Sequence, residues 1–210
     1  MLSTAPNSYE TNLWQQNICH VVGIDEVGRG AWAGPVVIGA VIFPKGFSTD
    51  LPINDSKKIP QKLRESLAIE IKKLALAHVI VEVDLKIINA LGIGAATQYG
   101  FAEAVQQLSI TPEHILMDAF LIKDIPSHKQ STIIRGDSKS LSIAAASIIA
   151  KVYRDQLMHS LDGTKYPYYF DQNVGYGTKK HQAALAIHGP SDLHRTSFNL
   201  QKWFSANAQA

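Results

Sequence analysis

The chain has 210 residues, 46% of them hydrophobic, with 20 Lys and Arg against 18 Asp and Glu for a net charge of +2. That length and balance fit one α/β domain with a sizeable core and exclude disorder as the dominant state. A lone cysteine, Cys19, excludes an internal disulfide framework and a cysteine-based zinc site, and the longest apolar stretch, Ala31 to Phe43, is too short to span a bilayer and is broken by Gly34 and Pro35.

In chain order, residues 1–18 read as a polar N-terminal tail without a secretory pattern, so a cytoplasmic protein with no membrane partner is expected. Residues 19–210 read as a single domain ending in a helical segment. Cys19 to Asp25 and Pro35 to Pro44 are β-branched runs joined by a glycine turn, a hairpin or meander. Pro60 opens a helix with Leu63, Leu67, Ile71 and Leu74 on one face. Val79 to Val83 is a strand, and Lys86 to Leu108 is helical with a break at Gly92-Ile93-Gly94, either a functional bend or a helix junction. Ile115 to Met117 and Thr132 to Ile134 are short strands leading to Asp118 and Asp137. The alanine-rich stretch from Ser138 to about Leu161 is a buried helix, and Thr178 caps a final helix that stops at Gly189-Pro190. Strands mixed with helices and no repeats indicate α/β architecture.

Charge is uneven along this order. From Leu121 onward 11 Lys and Arg face 6 Asp and no Glu, net +5, leaving 9 against 12, net −3, for residues 1–120. A basic half is consistent with nucleic acid and equally with a solvated surface.

The chemistry concentrates in carboxylates. Asp25 and Glu26 adjoin at the end of an apolar run, where two like charges resist burial unless a cation compensates them. Asp118 and Asp137 also follow strand-like runs, and sites in α/β sheets form at the carboxyl ends of strands. Singly, Asp118 reads as a turn residue and Asp137 as a helix N-cap; their agreement with the Asp25-Glu26 pair favours a shared site. Neighbours on a regular strand face opposite ways, so Asp25 and Glu26 can share that site only where pleating breaks down, near Gly28-Arg29-Gly30. Oxygen-only ligands suit Mg²⁺ or Mn²⁺, and two such ions support in-line displacement at phosphorus.

The sequence resembles the bacterial type 2 ribonucleases H, the ribonuclease HII family, from about His20 to Phe198. The motifs are Gly23-Ile24-Asp25-Glu26-Val27-Gly28-Arg29-Gly30 with Ala33-Gly34-Pro35-Val36-Val37, then Asn54-Asp55-Ser56-Lys57-Lys58, Met117-Asp118 and Gly136-Asp137-Ser138. Ala144-Ala145-Ala146-Ser147-Ile148, Ala150-Lys151-Val152, Gly175-Tyr176-Gly177-Thr178-Lys179 and His194-Arg195 follow. Resemblance implies a ribonuclease H-like α/β fold, a mixed central sheet flanked by helices with a small C-terminal helical extension. It implies metal-dependent endonucleolytic cleavage of RNA in RNA/DNA hybrids and 5′ to single ribonucleotides in duplex DNA, giving 3′-hydroxyl and 5′-phosphate ends.

Carried over by motif, Asp25, Glu26, Asp118 and Asp137 are the catalytic metal ligands, Gly28, Arg29 and Gly30 read the ribose 2′-hydroxyl, and Tyr176 packs on the following deoxyribose. Lys57, Lys58, Lys151, Lys179 and Arg195 are candidate phosphate contacts, with solvated side chains as the alternative. Val27 and Ala119 depart from the family's usual alanine and glycine, the second bearing on the backbone beside Asp118. His181 and His188 are expected at the surface. Residues 200–204 are expected to pack as a terminal helix, with a sliding-clamp contact as the alternative, and the protein is expected to be a monomer. A non-catalytic nucleic-acid binder of the same fold is disfavoured by the intact carboxylates. The related ribonuclease HIII family is disfavoured because only about 18 residues precede the first strand, too few for its extra N-terminal domain.

Overall fold

The computed structural model describes residues 3–163 and 165–203. Strands β1 (Val21–Val27) and β2 (Val36–Ile42) pair antiparallel, with Ile24 opposite Ala40. β3 (Ala77–Val83) adds antiparallel to β2, while β4 (His114–Met117) lies parallel to β1 and β5 (Gln130–Thr132) parallel to β4. The sheet order is β3-β2-β1-β4-β5. β2 is buried along its whole length, which is why it reads as an unbroken apolar run rather than an alternating one.

Helix α3 (Leu85–Gln107) covers one face, packing Phe101 and Ala104 against Val22, Ile24, Ile38 and Val81. Its non-helical Gly92 (φ 74°, ψ 160°) makes the expected break a junction between two helices. On the other face, α2 (Gln61–Leu74) and α4 (Leu141–Ser160) bury Leu67, Ile71, Ala144, Ala145, Ile148 and Ile149 against Val41 and Phe43. Helix α4 lies almost on the sheet: a Cβ on Gly23 would stand 2.2 Å from the Ser142 carbonyl carbon, and one on Gly39 2.3 Å from the Ala146 oxygen. The alanine run and the strand glycines are thus two halves of one close contact. Beyond it, α5 (Phe170–Asn173) and α6 (Lys179–His188), packed around Met158, Tyr168 and Phe170, form the C-terminal extension together with a 3₁₀ turn at Gln201–Trp203 that lies against α6.

Three sequence expectations change. The stretch read as a tail contains helix α1 (Ser8–Gln15), anchored by buried Trp14 and Glu10. Glu10 Oε1 accepts hydrogen bonds from the Ser140 and Ser142 hydroxyls, both at 2.6 Å, and from the Ser142 amide at 2.9 Å, so its carboxyl group caps the amino end of α4. The last strand is Gln130–Thr132 rather than residues 132–134, because Ile133 turns into the core while Ile134 is 74% exposed. The terminal segment forms a 3₁₀ turn with Trp203 against Trp32, ring centroids 5.6 Å apart, and Phe204 lies outside the described residues. Among those residues no helix is long and apolar enough to cross a membrane.

Candidate active site

A cleft of about 440 Å³ opens beyond the carboxyl end of β4 and brings together Asp25, Glu26, Asp118 and Asp137. β4 stops opposite Ile24, so residues 25–27 of β1 form a free edge on that side. Ile24 packs under α3 and Asp25 turns toward α4, as strand alternation requires, yet at a free edge side chains from both faces reach the same space. This resolves the facing problem of the adjacent carboxylates without a break in β1. Ser147, on α4, lines the cleft beside Asp25, and its Oγ lies 3.0 Å from Ser56 Oγ, tying the 54–58 loop to the helix.

Asp118 and Asp137 arrive on irregular backbone. Asp118 Oδ1 accepts the Arg135 amide at 3.0 Å, joining the two strand exits. Asp137 lies in a 3₁₀ turn (Gly136–Ser138), and the N-cap of α4 is Ser140, whose hydroxyl accepts the Ile143 amide, so the capping reading of Asp137 is set aside. Ala119, where the resemblance leads one to expect glycine, adopts the left-handed conformation at φ 63°. A side chain there costs about 1–2 kcal/mol, so Ala119→Gly is expected to raise the melting temperature by roughly 2–4 °C. An unchanged or lower melting temperature would remove this strain from the account.

Electrostatics mark the adjacent pair. Burial, then the Glu26 charge, push the Asp25 carboxyl up to about 8. Burial pushes Glu26 up to about 7, partly offset by the Arg29 guanidinium, whose Nη1 lies 3.9 Å from Glu26 Oε1. Asp137 is also raised, by burial and then by Asp55 and Asp118. The pair titrates as a coupled unit and resists ionisation in the absence of a cation. Among the described residues no three Asp, Glu, His or Cys side chains already converge tightly enough to enclose an ion. The four carboxylates line the cleft, an oxygen-only donor set fitting hard divalent ions.

The cleft's other wall is the loop after β1. Gly28, at φ 89°, is packed so that a Cβ would stand 2.0 Å from Arg154 Nε. Arg195, expected on phosphate, is instead fully buried. Its guanidinium donates to the carbonyls of Gly28 (2.7 Å), Arg29 (2.8 Å) and Gly34 (3.0 and 2.9 Å). Buried Arg154 donates to those of Ala33, Pro35 and Val174. With the carbonyls drawn inward, the Arg29 and Gly30 amides have no acceptor among the described residues and lie at the cleft. The Arg29 guanidinium rests on the Phe120 ring, 4.5 Å from its centroid.

The remaining candidates separate. Lys57 and Tyr176 line the cleft. So does Lys151, whose Nζ is held 2.7 Å from Asp155 Oδ1. Lys58 lies outside the lining, 3.2 Å from Asp55 Oδ2, and Lys179 is exposed at the start of α6, also outside it. His188 is exposed as expected, but His181 is completely buried. Sequence reading left Arg154, Ser56 and Ser147 without roles, although the motif segments around them were the available signal. A larger cavity of about 650 Å³, bounded by residues of the 190–201 segment, contains no carboxylate in its lining.

Comparison with known proteins gives this geometry a family. The model of the family described as Ribonuclease HII matches residues 22–201. A curated Ribonuclease HII from Bacillus cereus (strain B4264) is 48% identical over 195 residues, covering 91% of this chain and 74% of the relative. Two solved structures share the fold. Bst-RNase HIII in complex with Mn²⁺ has a TM-score of 0.70 at 21% identity, covering 97% of this chain and 74% of that one. The ribonuclease HII of a PCNA complex from Archaeoglobus fulgidus has a TM-score of 0.67 at 26% identity, covering 84% and 94%. Since the matched span runs from the first strand to the terminal turn and includes all four cleft carboxylates, this chain belongs to the ribonuclease HII family, the metal-dependent endoribonucleases.

Proposed function

We propose that this enzyme cleaves the RNA strand of RNA/DNA hybrids and nicks duplex DNA on the 5′ side of a single embedded ribonucleotide, giving 3′-hydroxyl and 5′-phosphate ends. The observation that carries the reading is the sharing of one cleft by four carboxylates, the Gly28-Arg29-Gly30 loop and Tyr176. Asp25, Glu26, Asp118 and Asp137 would hold two Mg²⁺ or Mn²⁺ ions. When bound, these supply a more acidic water and charge neutralisation at the phosphate. The Arg29 and Gly30 amides donate to the ribose 2′-hydroxyl, the group that distinguishes RNA from DNA locally. Tyr176 packs against the next sugar, where a 2′-hydroxyl would crowd its ring. Lys57 and the Arg29 guanidinium contact the flanking phosphates, and Lys151 adds positive charge at the α4 wall.

A single catalytic domain that includes helix α1, a cytoplasmic setting, a monomeric state and a role in removing ribonucleotides from DNA belong to the same proposal. A sliding-clamp contact through residues 200–204 has support from the PCNA complex of the Archaeoglobus relative. In this chain, however, Trp203 is engaged with Trp32, which favours internal packing. The deciding assay uses labelled duplex DNA with one ribonucleotide. Nicking 5′ to the ribose with Mg²⁺ or Mn²⁺, absent with chelator and on all-DNA duplex, is expected; cutting in chelator, or equal cutting of all-DNA duplex, would overturn the reading.

A further inference from the structure

Two histidines that this reaction does not use form a buried pair behind Tyr176. His181 Nε2 and His194 Nε2 lie 3.0 Å apart, and both rings are buried. The outer nitrogens have partners that fix the protons. His181 Nδ1 is 2.9 Å from the Tyr176 carbonyl oxygen, which only accepts, so Nδ1 carries the hydrogen and Nε2 is bare. His194 Nδ1 accepts the Ser191 amide at 3.0 Å, so its hydrogen is on Nε2 and points at His181. Both ends independently require one arrangement: Ser191 N–H to His194, His194 to His181, His181 to the Tyr176 carbonyl.

An added proton would break this chain: on His181 Nε2 it would meet the His194 N–H, and on His194 Nδ1 it would displace the Ser191 amide, leaving the Ser191 hydroxyl oxygen, 2.9 Å away, as its acceptor. Packing agrees with a neutral pair: the Tyr168 and Phe170 rings stand edge-on to His194 and His181 at 4.7 and 5.6 Å, and Trp32 lies 5.6 Å from His181. Burial, then the neighbouring His181, hold His194 down at about 4, and burial lowers His181 also. The ionisable neighbours are few. Asp192 on the 190–195 segment accepts the Tyr166 hydroxyl, Tyr168 donates its hydroxyl to Gly189, His188 approaches the far side of Tyr168, and Arg195 is turned into the loop carbonyls.

The pair also joins the two parts of the cleft that read sugars. His194 forms a backbone bridge with Ala33, and the Arg195 amide donates to the Trp32 carbonyl, so the 194–195 segment is fastened to the loop carrying Gly28 to Gly30. His181 is fastened to the Tyr176 turn, whose carbonyl also accepts the Thr178 amide. We propose that the His181–His194 pair is a positioning device that holds Tyr176 in register with the Gly28-Arg29-Gly30 loop and thereby sets the preference for a ribose followed by a deoxyribose over a continuous RNA/DNA hybrid. This rests on the sugar-reading roles given above for the loop and Tyr176.

The test is the ratio of kcat/KM on single-ribonucleotide duplex DNA to that on continuous hybrid, a quantity unmoved by a simple loss of folded enzyme. His194→Ala and His181→Ala are each expected to lower the ratio about tenfold through misplacement of Tyr176. His181→Asn, whose amide can still donate to the Tyr176 carbonyl, is expected to recover most of it. Tyr176→Ala sets the reference. If it lowers the ratio while both histidine→Ala variants stay within about twofold of wild type, the positioning role is overturned and the sugar-reading role survives. If Tyr176→Ala itself leaves the ratio unchanged, the underlying reading fails and the positioning proposal with it. Imidazole ¹⁵N spectra of the wild-type protein provide a check that needs no variant: neutral rings with the hydrogen on His181 Nδ1 and on His194 Nε2 are expected at pH 7, and a cationic ring or the opposite tautomer in either would overturn the proposal.

Discussion

Asp25→Asn is expected to abolish nicking, by about a thousandfold or more, while making the metal-free protein more stable. The two effects have one origin. Asp25 is held up to about 8 by burial and by Glu26, whereas its ordinary value is 3.8. A carboxyl raised in the fold favours its protonated form, so its stabilising contribution is complete below about pH 4 and is lost as pH rises through about 8. Asparagine resembles the protonated acid at every pH. In chelator, the advantage of the variant should therefore be absent near pH 4, grow through neutrality and level off above about pH 8, reaching on the order of 2–4 kcal/mol, or roughly 5–10 °C in melting temperature. Millimolar Mg²⁺ should narrow the gap by stabilising the wild type, because an ion that binds the fold and not the unfolded chain stabilises by mass action. A melting-temperature difference that does not vary with pH would remove the burial cost from Asp25, and wild-type nicking by the variant would remove Asp25 from the reaction.

The carboxylates could be found from the sequence because each follows an apolar run, although only Asp118 is delivered directly by a strand's end: Asp25 and Glu26 lie within β1, and Asp137 comes in the 3₁₀ turn beyond β5. Even the contact between α4 and the sheet was half visible, as small residues in the helix and glycines in the strands. Long-range polar partnerships were not. Arg195 binds carbonyls 161 to 167 positions away, and a backbone acceptor has no residue type that a motif could display. An arginine near a phosphate-binding loop reads as a phosphate ligand when its burial is unknown. His181 escaped for the same reason, since its acceptor is the Tyr176 carbonyl and its donor a histidine 13 positions on. Helix α1 was hidden by its polar composition: Trp14 and Glu10 fix it, and Glu10 does so as a buried carboxylate at the start of α4, where an acidic residue would not be sought.

Arg195→Lys tests whether the buried guanidinium shapes the loop or merely fills space. Arginine spreads its donors over a rigid plane and reaches three different carbonyls, those of Gly28, Arg29 and Gly34, at 2.7–3.0 Å. A lysine ammonium concentrates its donors at one point and cannot serve that span. Carbonyls released from the arginine are free to rotate outward, and the Arg29 and Gly30 amides lose the outward orientation that suits them to a sugar hydroxyl. The variant is expected to lower kcat/KM on ribonucleotide-containing DNA about a hundredfold, because a small misplacement of a binding element away from the reacting atoms is enough for a loss of that size. Stability should fall by only about 1–3 kcal/mol, the cost of leaving carbonyls unsatisfied, since retaining an arginine buried to this degree already carries a desolvation cost; its own value is lowered to about 9 by burial and then by Arg154. Hydrogen exchange at the Gly28 to Gly34 amides supplies the structural readout. Faster exchange at Trp32, Ala33 and Gly34, whose amides bond to Gly175 and Leu193 in the wild type, should accompany the loss of activity. Full activity with unaltered exchange would mean that the backbone holds its course unaided, and the guanidinium would then be a packing element alone.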